Sequence, residues 1–383
     1  MSWPQVFHLA RMMKVLLCGL GVSGFATKSV PASEVAVVVG TAAGRPTESP
    51  AAGIVNEPFA IDFDSDGRLY GVEFTRGNRV FRSPGPIGTA SGPVTTEFVA
   101  GVFHQTTSKT VLPVAVADAA ADDIRFNGMH DLAIAADGRI YLADTFNHLI
   151  RVFDPKAGRV ATLAGTGQPG FAGDGGPAAD ATFREPYCGS LAPDGSRLLI
   201  ADIRNHRLRA IDLAAKTVST IAGNGKPGKP IDGALATETP LAGPRAACEA
   251  ADGTTYLVLR EGNALVAIRD GRVQTVVNAS GKAGYGGDGG PGREALLKGP
   301  KYVCIDREQR VLIVDTENHC VRRYDPTSGQ IELVAGVPQR AGAAIGDTWK
   351  ATELRRPHGA RIAPDGRLVI ADSDNDRVLI GAY

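Results

Sequence analysis

The feature that most constrains the fold of this chain is a segment of about 15 residues that recurs several times in the sequence. Residues 140–154 read IYLADTFNHLIRVFD, residues 198–212 read LLIADIRNHRLRAID and residues 311–325 read VLIVDTENHCVRRYD. A weaker copy, LVIADSDNDRVLI, begins at Leu368. Self-similarity at a fixed period indicates a repeat architecture, which means a solenoid, a propeller or a linear array.

The length of the repeat follows from Asp-Gly dipeptides, which are typical of two-residue hairpin turns. Successive dipeptides are separated by 71, 57, 58 and 113 residues, and the last gap contains one degenerate copy near Arg307. The chain therefore contains six units of about 57 residues. The dipeptides begin at Asp66, Asp137, Asp194, Asp252 and Asp365.

Each unit has the pattern of four short strands. A proline opens an alternating apolar stretch, as in PYCGSLAPDG, and a hairpin turn leads to a second stretch. A turn containing Asn, a third stretch and a fourth stretch ending in Ala-Gly follow. Period-two alternation with Gly, Asp and Asn at the turns predicts strands, and no segment has a helical period. Six such units predict an all-β fold, a six-bladed β-propeller, in which neighbouring blades cover most sheet edges.

The two ends of the repeat region predict how the ring closes. The last unit stops at RVLIGAY and lacks a fourth strand. The stretch SEVAVVVGTAAG from Ser33 is similar to the fourth-strand stretches GRVATLAGTG and KTVSTIAGNG. We therefore predict that residues 33–383 form a single propeller, and that an N-terminal strand completes the sixth blade.

Residues 1–32 have the features of a signal peptide. Arg11 and Lys14 precede the apolar run VLLCGLGVSGFA, and Val30-Pro31-Ala32 offers a small-residue cleavage site. The run is too short to span a bilayer. We predict a secreted or periplasmic protein without a membrane span in the mature chain; the alternative is a cytoplasmic tail, and Met12 or Met13 is an alternative start.

The balance of acidic and basic residues indicates which binding partners to expect. The chain has 41 Lys and Arg and 41 Asp and Glu, so its net charge is close to zero. A nucleic-acid-binding surface normally requires a basic excess, so no nucleic acid partner is expected. We expect a monomer that recognises a protein, a glycan or a small anionic ligand.

The repeated segments resemble NHL repeats, a family named for its Asn-His-Leu core. The resemblance lies in ADTFNHLIRVFD, ADIRNHRLRAID and VDTENHCVRRYD, and in the linkers AGTGQPGFAGDGGPAADATFREP and AGYGGDGGPGREALLKGP. Blades one and four depart from it, since they read VEFTRGNRVF and LVLREGNALVAI. The resemblance implies a six-bladed propeller and says much less about activity.

An Asp and an Asn recur three residues apart at the turn after the second strand. A catalytic residue is needed once, whereas this pair returns in blade after blade, so we interpret it as structural. The Asp side chain is expected to hold the turn through backbone N–H groups, and Asp202→Ala should cost about 1 kcal/mol. The pairs are Asp144 and Asn147, Asp202 and Asn205, Asp315 and Asn318, and Asp372 and Asn375.

Function is expected where the repeats differ. The residue after each opening proline, which Met129 replaces in blade two, begins an innermost strand and should lie at one mouth of the central channel, on the face we call the top. These positions hold cationic, titratable and aromatic side chains, which predicts a rim that binds anions. In blade order they are Phe59, His130, Tyr187, Arg245, Lys301 and His358.

A divalent metal is the alternative use of this mouth. His130 and His358 flank blade one, where Glu73 replaces the usual Asp. Two imidazoles and a carboxylate suit Zn or Ca with an open position for substrate. RPHGARIAPDG resembles repeats of virginiamycin B lyase, and related propellers include regucalcin-type gluconolactonases and peptidyl-hydroxyglycine lyases.

Three functions remain open from the sequence. The first is an exported binding module that uses the top face. The second is a metal-dependent lyase or lactone hydrolase at His130, His358 and Glu73. The third is a structural scaffold. Whether the protein is an enzyme, and which ligand it takes, are not determined by these residues.

Overall fold

The described residues form six antiparallel sheets arranged as the blades of a propeller. The computed structural model describes residues 34–40, 54–87, 93–107, 118–187 and 189–383. In blades one to five the inner, second, third and outer strands are consecutive in the chain and pair in that order, whereas blade six combines the last three strands of the chain with the N-terminal strand. The predicted all-β six-bladed propeller is confirmed. The proposed leader, residues 1–32, lies outside the described residues.

The strands are short, as the spacing of turn residues predicts. In chain order they are β1 (Ala36–Val39), which belongs to blade six; β2 (Pro58–Phe63), β3 (Arg68–Glu73), β4 (Val80–Pro86) and β5 (Glu97–Ala100) of blade one; β6 (Asp118–Ala120), β7 (Met129–Ile134), β8 (Ile140–Asp144), β9 (Leu149–Asp154) and β10 (Arg159–Ala164) of blade two; β11 (Ser190–Leu191), β12 (Arg197–Asp202), β13 (Arg207–Asp212) and β14 (Thr217–Ala222) of blade three; β15 (Pro244–Glu249), β16 (Thr255–Leu259), β17 (Ala264–Arg269) and β18 (Arg272–Val277) of blade four; β19 (Gly290–Pro291), β20 (Tyr302–Ile305), β21 (Val311–Asp315), β22 (Cys320–Tyr324) and β23 (Gln330–Ala335) of blade five; and β24 (Gly359–Ile362), β25 (Leu368–Asp372) and β26 (Arg377–Gly381) of blade six.

Within the described ranges, two blades carry a short additional strand at the outer edge. In blade two, β6 pairs with β10, and in blade five, β19 pairs with β23. Both come from the linker that precedes the blade or lies beside it, and both cover backbone groups that an outer strand would otherwise present to solvent. The helical elements among the described residues are single 3₁₀ turns, at Thr145–Asn147, Ala178–Asp180, Ile203–Asn205, Gly292–Glu294, Thr316–Asn318, Trp349–Ala351 and Ser373–Asn375.

The ring closes with the N-terminal strand, as predicted. Strand β1 pairs antiparallel with β26, with Ala36 opposite Ile380 and Val37 opposite Leu379. The side chains of Val38 and Val39 are buried in the core of blade six. Because this blade combines the two ends of the described chain, unfolding of the first strand would expose the edge of the last one.

The core lies between the blades. Val, Ile, Leu and Ala from the second and third strands are almost completely buried and pack against the next blade. Inner strands contact inner strands, as between β2 and β7 or β15 and β20. The start of each inner strand pairs with the end of the second strand, so opening residues and Asp–Asn turns share the top face. Among the described residues, no helix has the length and hydropathy needed to cross a bilayer.

Candidate binding site at the channel mouth

The structure brings the six predicted mouth residues together at the top of the inner strands. Each of them is 5 to 7% exposed, so the group is buried but reaches the surface. The ring of Phe59 stacks on that of His358 with centroids 3.9 Å apart, and lies 5.2 Å from that of His130. The His130 ring is in turn 3.9 Å from that of Tyr187. We call this set the mouth.

Blades one and two give the mouth an aromatic half. Phe74 stacks on Phe59 at 4.2 Å and meets His130 edge-on at 4.4 Å. Phe146 lies further out, 5.8 Å from His130. Aromatic pairs at these separations add stability beyond area burial. Since Phe74 and Phe146 are partly exposed, they offer an apolar surface beside the channel.

Blades four to six give the mouth a cationic half. The guanidinium of Arg245 lies over the Tyr187 ring, 4.1 Å from its centroid. Lys301 Nζ is 2.8 Å from Glu317 Oε1, and Arg356 Nη2 is 3.0 Å from the same oxygen. A cavity of about 410 Å³ opens beside these groups, and its lining residues are Arg260, Asn263, Lys298, Gly299, Lys301, Glu317 and Arg356. We call it the rim cavity.

Positive charge dominates the electrostatics of the rim cavity. Burial, followed by repulsion from Arg356, lowers the pKa of Lys301 to about 8, although Glu317 opposes the shift. Burial alone would raise the pKa of Glu317, but hydrogen bonds from Arg356 and Lys301 outweigh it and lower that pKa to about 2. Arg245 also depresses the pKa of Lys301, so charges from three blades act on one ammonium group.

Both mouth histidines are neutral at ordinary pH. Burial, with Arg245 nearby, holds the pKa of His130 well below its usual value. Burial and the charge of Lys301 do the same for His358. The Lys301 ammonium donates to His358 Nε2 at 3.3 Å, which leaves the proton of the neutral ring on Nδ1. That buried Nδ1 has no hydrogen-bond partner among the described residues, so it is a free donor.

The structure does not assemble the three residues considered for a metal. Glu73 is fully buried, and its carboxylate faces Arg79, with Nε to Oε2 2.7 Å and Nη2 to Oε1 2.9 Å. The Phe59 ring contacts both His130 and His358. Among the described residues, no group of three or more His, Cys, Asp or Glu side chains is placed to hold a metal ion. These residues therefore do not fit the Zn or Ca site considered from the sequence.

The repeated Asp and Asn residues hold the top turns. Asp144 Oδ1 accepts the backbone N–H of Asn127 at 2.8 Å, and Asn147 Nδ2 donates to the Asp144 carboxylate at 3.0 Å. The next residue, His148, adopts a left-handed conformation with φ 58°. The same arrangement recurs in blades three, five and six, where the Asp and Asn are Asp202 and Asn205, Asp315 and Asn318, and Asp372 and Asn375.

Sequence reasoning missed the buried arginines that complete these turns. Arg151, Arg209, Arg322 and Arg377 are at most 1% exposed, and Arg151 Nε lies 3.0 Å from Asp144 Oδ2. The sequence does carry a signal, because Arg follows the repeated His by three residues in NHLIR, NHRLR and NHCVR. An arginine that recurs beside a buried Asp indicates an internal ion pair and not a solvated surface.

Sequence reasoning also missed the residues that precede the opening proline. Glu57, Glu185 and Arg356 have φ values of 46°, 57° and 44°, the left-handed region that favours glycine. Their counterparts Gly243 and Gly299 share it, with φ 65° and 54°. The three non-glycine side chains line the top face and form ion pairs there, as Glu185 does with Arg204 at 3.0 Å. Non-glycine residues held in the left-handed region are strained, and such residues cluster at functional sites.

Comparisons with known proteins agree with this architecture. The family model for the NHL repeat matches residues 126–153 and 354–380. Protein SUPPRESSOR OF QUENCHING 1, chloroplastic, of Arabidopsis thaliana is 27% identical over 271 residues, covering 68% of this chain and 25% of that protein. NHL repeat-containing protein 2 of Bos taurus is 40% identical over 93 residues, covering 24% of this chain and 13% of that protein. This chain thus spans a quarter or less of the length of these relatives.

A solved structure supports the fold at low sequence identity. An auxiliary nutrient binding protein from Bacteroides thetaiotaomicron superposes with a TM-score of 0.63 and 12% identity, covering 90% of this chain and 75% of that one. At this identity the likeness concerns the fold alone. With the repeat matches and the six sheets taken together, the described chain is a six-bladed β-propeller that contains matches to the NHL repeat at residues 126–153 and 354–380.

Proposed function

We propose that this propeller is a binding module for a small organic anion, held in the rim cavity and the mouth. The observation that carries the proposal is the convergence of Arg260, Lys301 and Arg356 on one cavity with a single lining carboxylate, that of Glu317. A cavity of about 410 Å³ is in the range used by small-molecule sites. The binding role of the structural neighbour is consistent with this assignment.

Unbalanced charge explains why an anion should bind there. Burial, and after it repulsion from the charge of Arg356, lowers the pKa of Lys301, so its ammonium is kept in place at a cost in free energy. A bound carboxylate or phosphate would neutralise part of that repulsion, and Arg356 and Lys301 are already oriented by Glu317. In the neighbouring mouth, the buried Nδ1 of His358 has no hydrogen-bond partner among the described residues and is an additional donor. Charge-assisted hydrogen bonds of this kind are among the stronger ones.

The aromatic half indicates an apolar portion in the ligand. Phe74 and Phe146 present partly exposed rings across the mouth from the cations. A ligand with a carboxylate at one end and a ring at the other would contact both halves. Such a ligand is expected to bind more tightly than an anion of equal charge without the ring.

Calorimetric titration of the protein tests the assignment. The ligands are acetate, phenylacetate, glucuronate, citrate and inorganic phosphate, and the variants are Lys301→Met and the exposed control Lys350→Met. We expect at least one of these anions to bind the parent and the control alike, and at least tenfold more weakly to Lys301→Met. Absence of binding by every anion, or equal binding by both variants, would refute the site and leave a glycan or protein partner to be sought.

The proposal includes export to the periplasm or the cell exterior. It rests on the sequence of residues 1–32, in which Arg11 and Lys14 precede a short apolar run. Expression of the full chain with a C-terminal tag, followed by fractionation and N-terminal sequencing, tests it. A mature start near Ser33 outside the cytoplasm is expected, and an intact N-terminus in the cytosol would contradict export.

A further inference from the structure

Buried and partly buried side chains connect blade three to the linker that precedes it. Asn205 Nδ2 donates to the carbonyl of Gly170 at 2.7 Å. Arg209 Nη2 donates to the carbonyl of Ala172 at 2.8 Å. Arg207, which is partly buried, packs its guanidinium over Phe171, 3.7 Å from the ring centroid. The linker backbone thus forms a wall of acceptors that is occupied by an amide and by guanidinium groups.

Blade five repeats this construction. Asn318 Nδ2 donates to the carbonyl of Gly284 at 2.8 Å, and Arg322 Nη2 donates to the carbonyl of Gly286 at 3.0 Å. Blade two adds one further acceptor, since Arg151 Nη1 donates to the hydroxyl of Thr162 on the outer strand at 2.5 Å. A guanidinium group is therefore the standard occupant of this space in the fold.

Blade four lacks the side chains that fill the space. Aligned on its own second turn, it carries Gly262, Ala264 and Val266 where blade three carries the Asn and the two Arg residues. The corresponding linker positions are Gly228 and Pro230. A cavity of about 250 Å³ is found there, and its lining includes Gly228, Pro230, Gly262 and Ala264. We call it the blade-four cavity.

A buried polar group faces the blade-four cavity without a partner. Thr275 lines the cavity, is 2% exposed and occupies the position of Thr162 in blade two. Its hydroxyl makes no hydrogen bond of ordinary length to any described residue, but it lies close enough to the Asp232 carboxylate to help lower the pKa of that group. The hydroxyl oxygen is therefore available as an acceptor. The Asp232 carboxylate lies just behind it and accepts the Thr275 backbone N–H at 2.7 Å. An unpaired buried hydroxyl is costly, so a donor arriving from outside would be stabilised.

We propose that the blade-four cavity binds a guanidinium group from outside the chain, that of an arginine side chain in a peptide. Its wall is the part of the fold that accepts guanidinium donors in blades two, three and five. Thr275 supplies an unused acceptor. Glu261 lines the cavity and pairs with Arg260, and Asp232 lies beside it and pairs with Arg293 at 3.0 Å, so an external guanidinium would share these carboxylates with arginines of the chain. The exposed Lys229 also lines the entrance and opposes a second cation. This site is separate from the rim cavity.

Calorimetric titration with N-acetyl-L-arginine methylamide tests the proposal, with the citrulline analogue as the neutral isostere. We expect saturable binding of the arginine probe and at least tenfold weaker binding of the citrulline probe. Thr275→Val, which preserves shape, should weaken binding of the arginine probe about tenfold. Lys229→Gln should strengthen it, because a like charge is removed from the entrance.

A filled cavity provides the matched control. Ala264→Arg supplies an internal guanidinium as blade three does, and should abolish binding while leaving the melting temperature at or above that of the parent. If Ala264→Arg is less stable than the parent, the binding of the arginine probe to Thr275→Val becomes the deciding measurement. Equal binding of the arginine and citrulline probes, no binding of either, or unchanged binding in Thr275→Val would overturn the proposal. Lys301→Met should have no effect, so loss of binding in that variant would place the probe in the mouth instead.

Discussion

The buried pair formed by Asp202 and Arg209 makes a measurable prediction about what holds a blade together. The Asp202 carboxylate accepts the Arg184 backbone N–H at 2.8 Å and Asn205 Nδ2 at 2.8 Å, and Arg209 Nη1 lies 3.5 Å away. Arg209 is fully buried. Replacing Asp202 by Leu would therefore remove three polar contacts and leave part of a buried charge uncompensated.

The magnitude follows from what remains around Arg209. Breaking a buried ion pair by removing one partner costs roughly 3–5 kcal/mol. Here Asp174 still faces the guanidinium at 2.8 Å, and two backbone carbonyls accept from it, so the lower end applies. We expect Asp202→Leu to lower the free energy of unfolding by about 3 kcal/mol. This exceeds the roughly 1 kcal/mol expected from loss of a turn hydrogen bond alone. The difference comes from the buried charge of Arg209, which the sequence analysis did not include.

Urea unfolding followed by circular dichroism measures the effect in Asp202→Leu, Arg209→Met and the double variant. The double variant removes both charges, so it should be more stable than Asp202→Leu, with a coupling of at least about 1 kcal/mol. Arg139→Met breaks an exposed pair with Asp137 and should change stability by less than about 1 kcal/mol. Additive effects of Asp202→Leu and Arg209→Met would refute the account of the buried pair.

Three further predictions concern other parts of the fold. Because burial lowers the pKa of Lys301 to about 8 from 10.5, the unfolded chain holds a proton that the folded chain releases between these values. The stability of the parent relative to Lys301→Met should therefore rise by about 3 kcal/mol from pH 8 to 10.5 in urea titrations, and a flat difference would contradict the shift. Deleting residues 34–40 removes β1 and its buried valines, so cooperative thermal unfolding should be lost; a variant that melts like the parent would show that the strand does not close the ring. Glu185→Gly relieves a left-handed φ of 57°, so it should melt above Glu185→Val, and the reverse order would exclude strain at this position.

The fold could be predicted because its information is local and repeated. The same turn residues, strand lengths and alternation of apolar residues recur in each blade. A blade whose sequence departs from the pattern can therefore be recognised from the others. The closing strand was predictable for the same reason, since the segment around Val37 resembles the fourth strands of other blades. The additional strands β6 and β19 were not predicted, because they come from linkers whose pairing depends on neighbouring tertiary structure.

The candidate site was predictable in position but not in chemistry. Strand direction placed His130, Lys301 and His358 at one mouth, and the structure brings them there. The strand pattern could not show that Glu73 would face Arg79. That contact depends on the turn of blade one, which departs from the repeat and in which Arg79 follows the left-handed residue Asn78. The hypothesis of a metal at the mouth depended on a direction of the Glu73 side chain that backbone periodicity does not determine.

The most direct test of the central claim is proton uptake on binding of the preferred anion at pH 8.5. An anion beside Lys301 should raise a pKa that is now about 8, so binding must draw a proton from the buffer. Calorimetry in two buffers of different ionisation enthalpy measures this uptake in the parent and in Lys301→Met. We predict uptake of a substantial fraction of a proton in the parent, and loss of that uptake together with weakened binding in the variant. Tight binding without proton uptake, or equal uptake in both proteins, would show that the anion does not sit on Lys301.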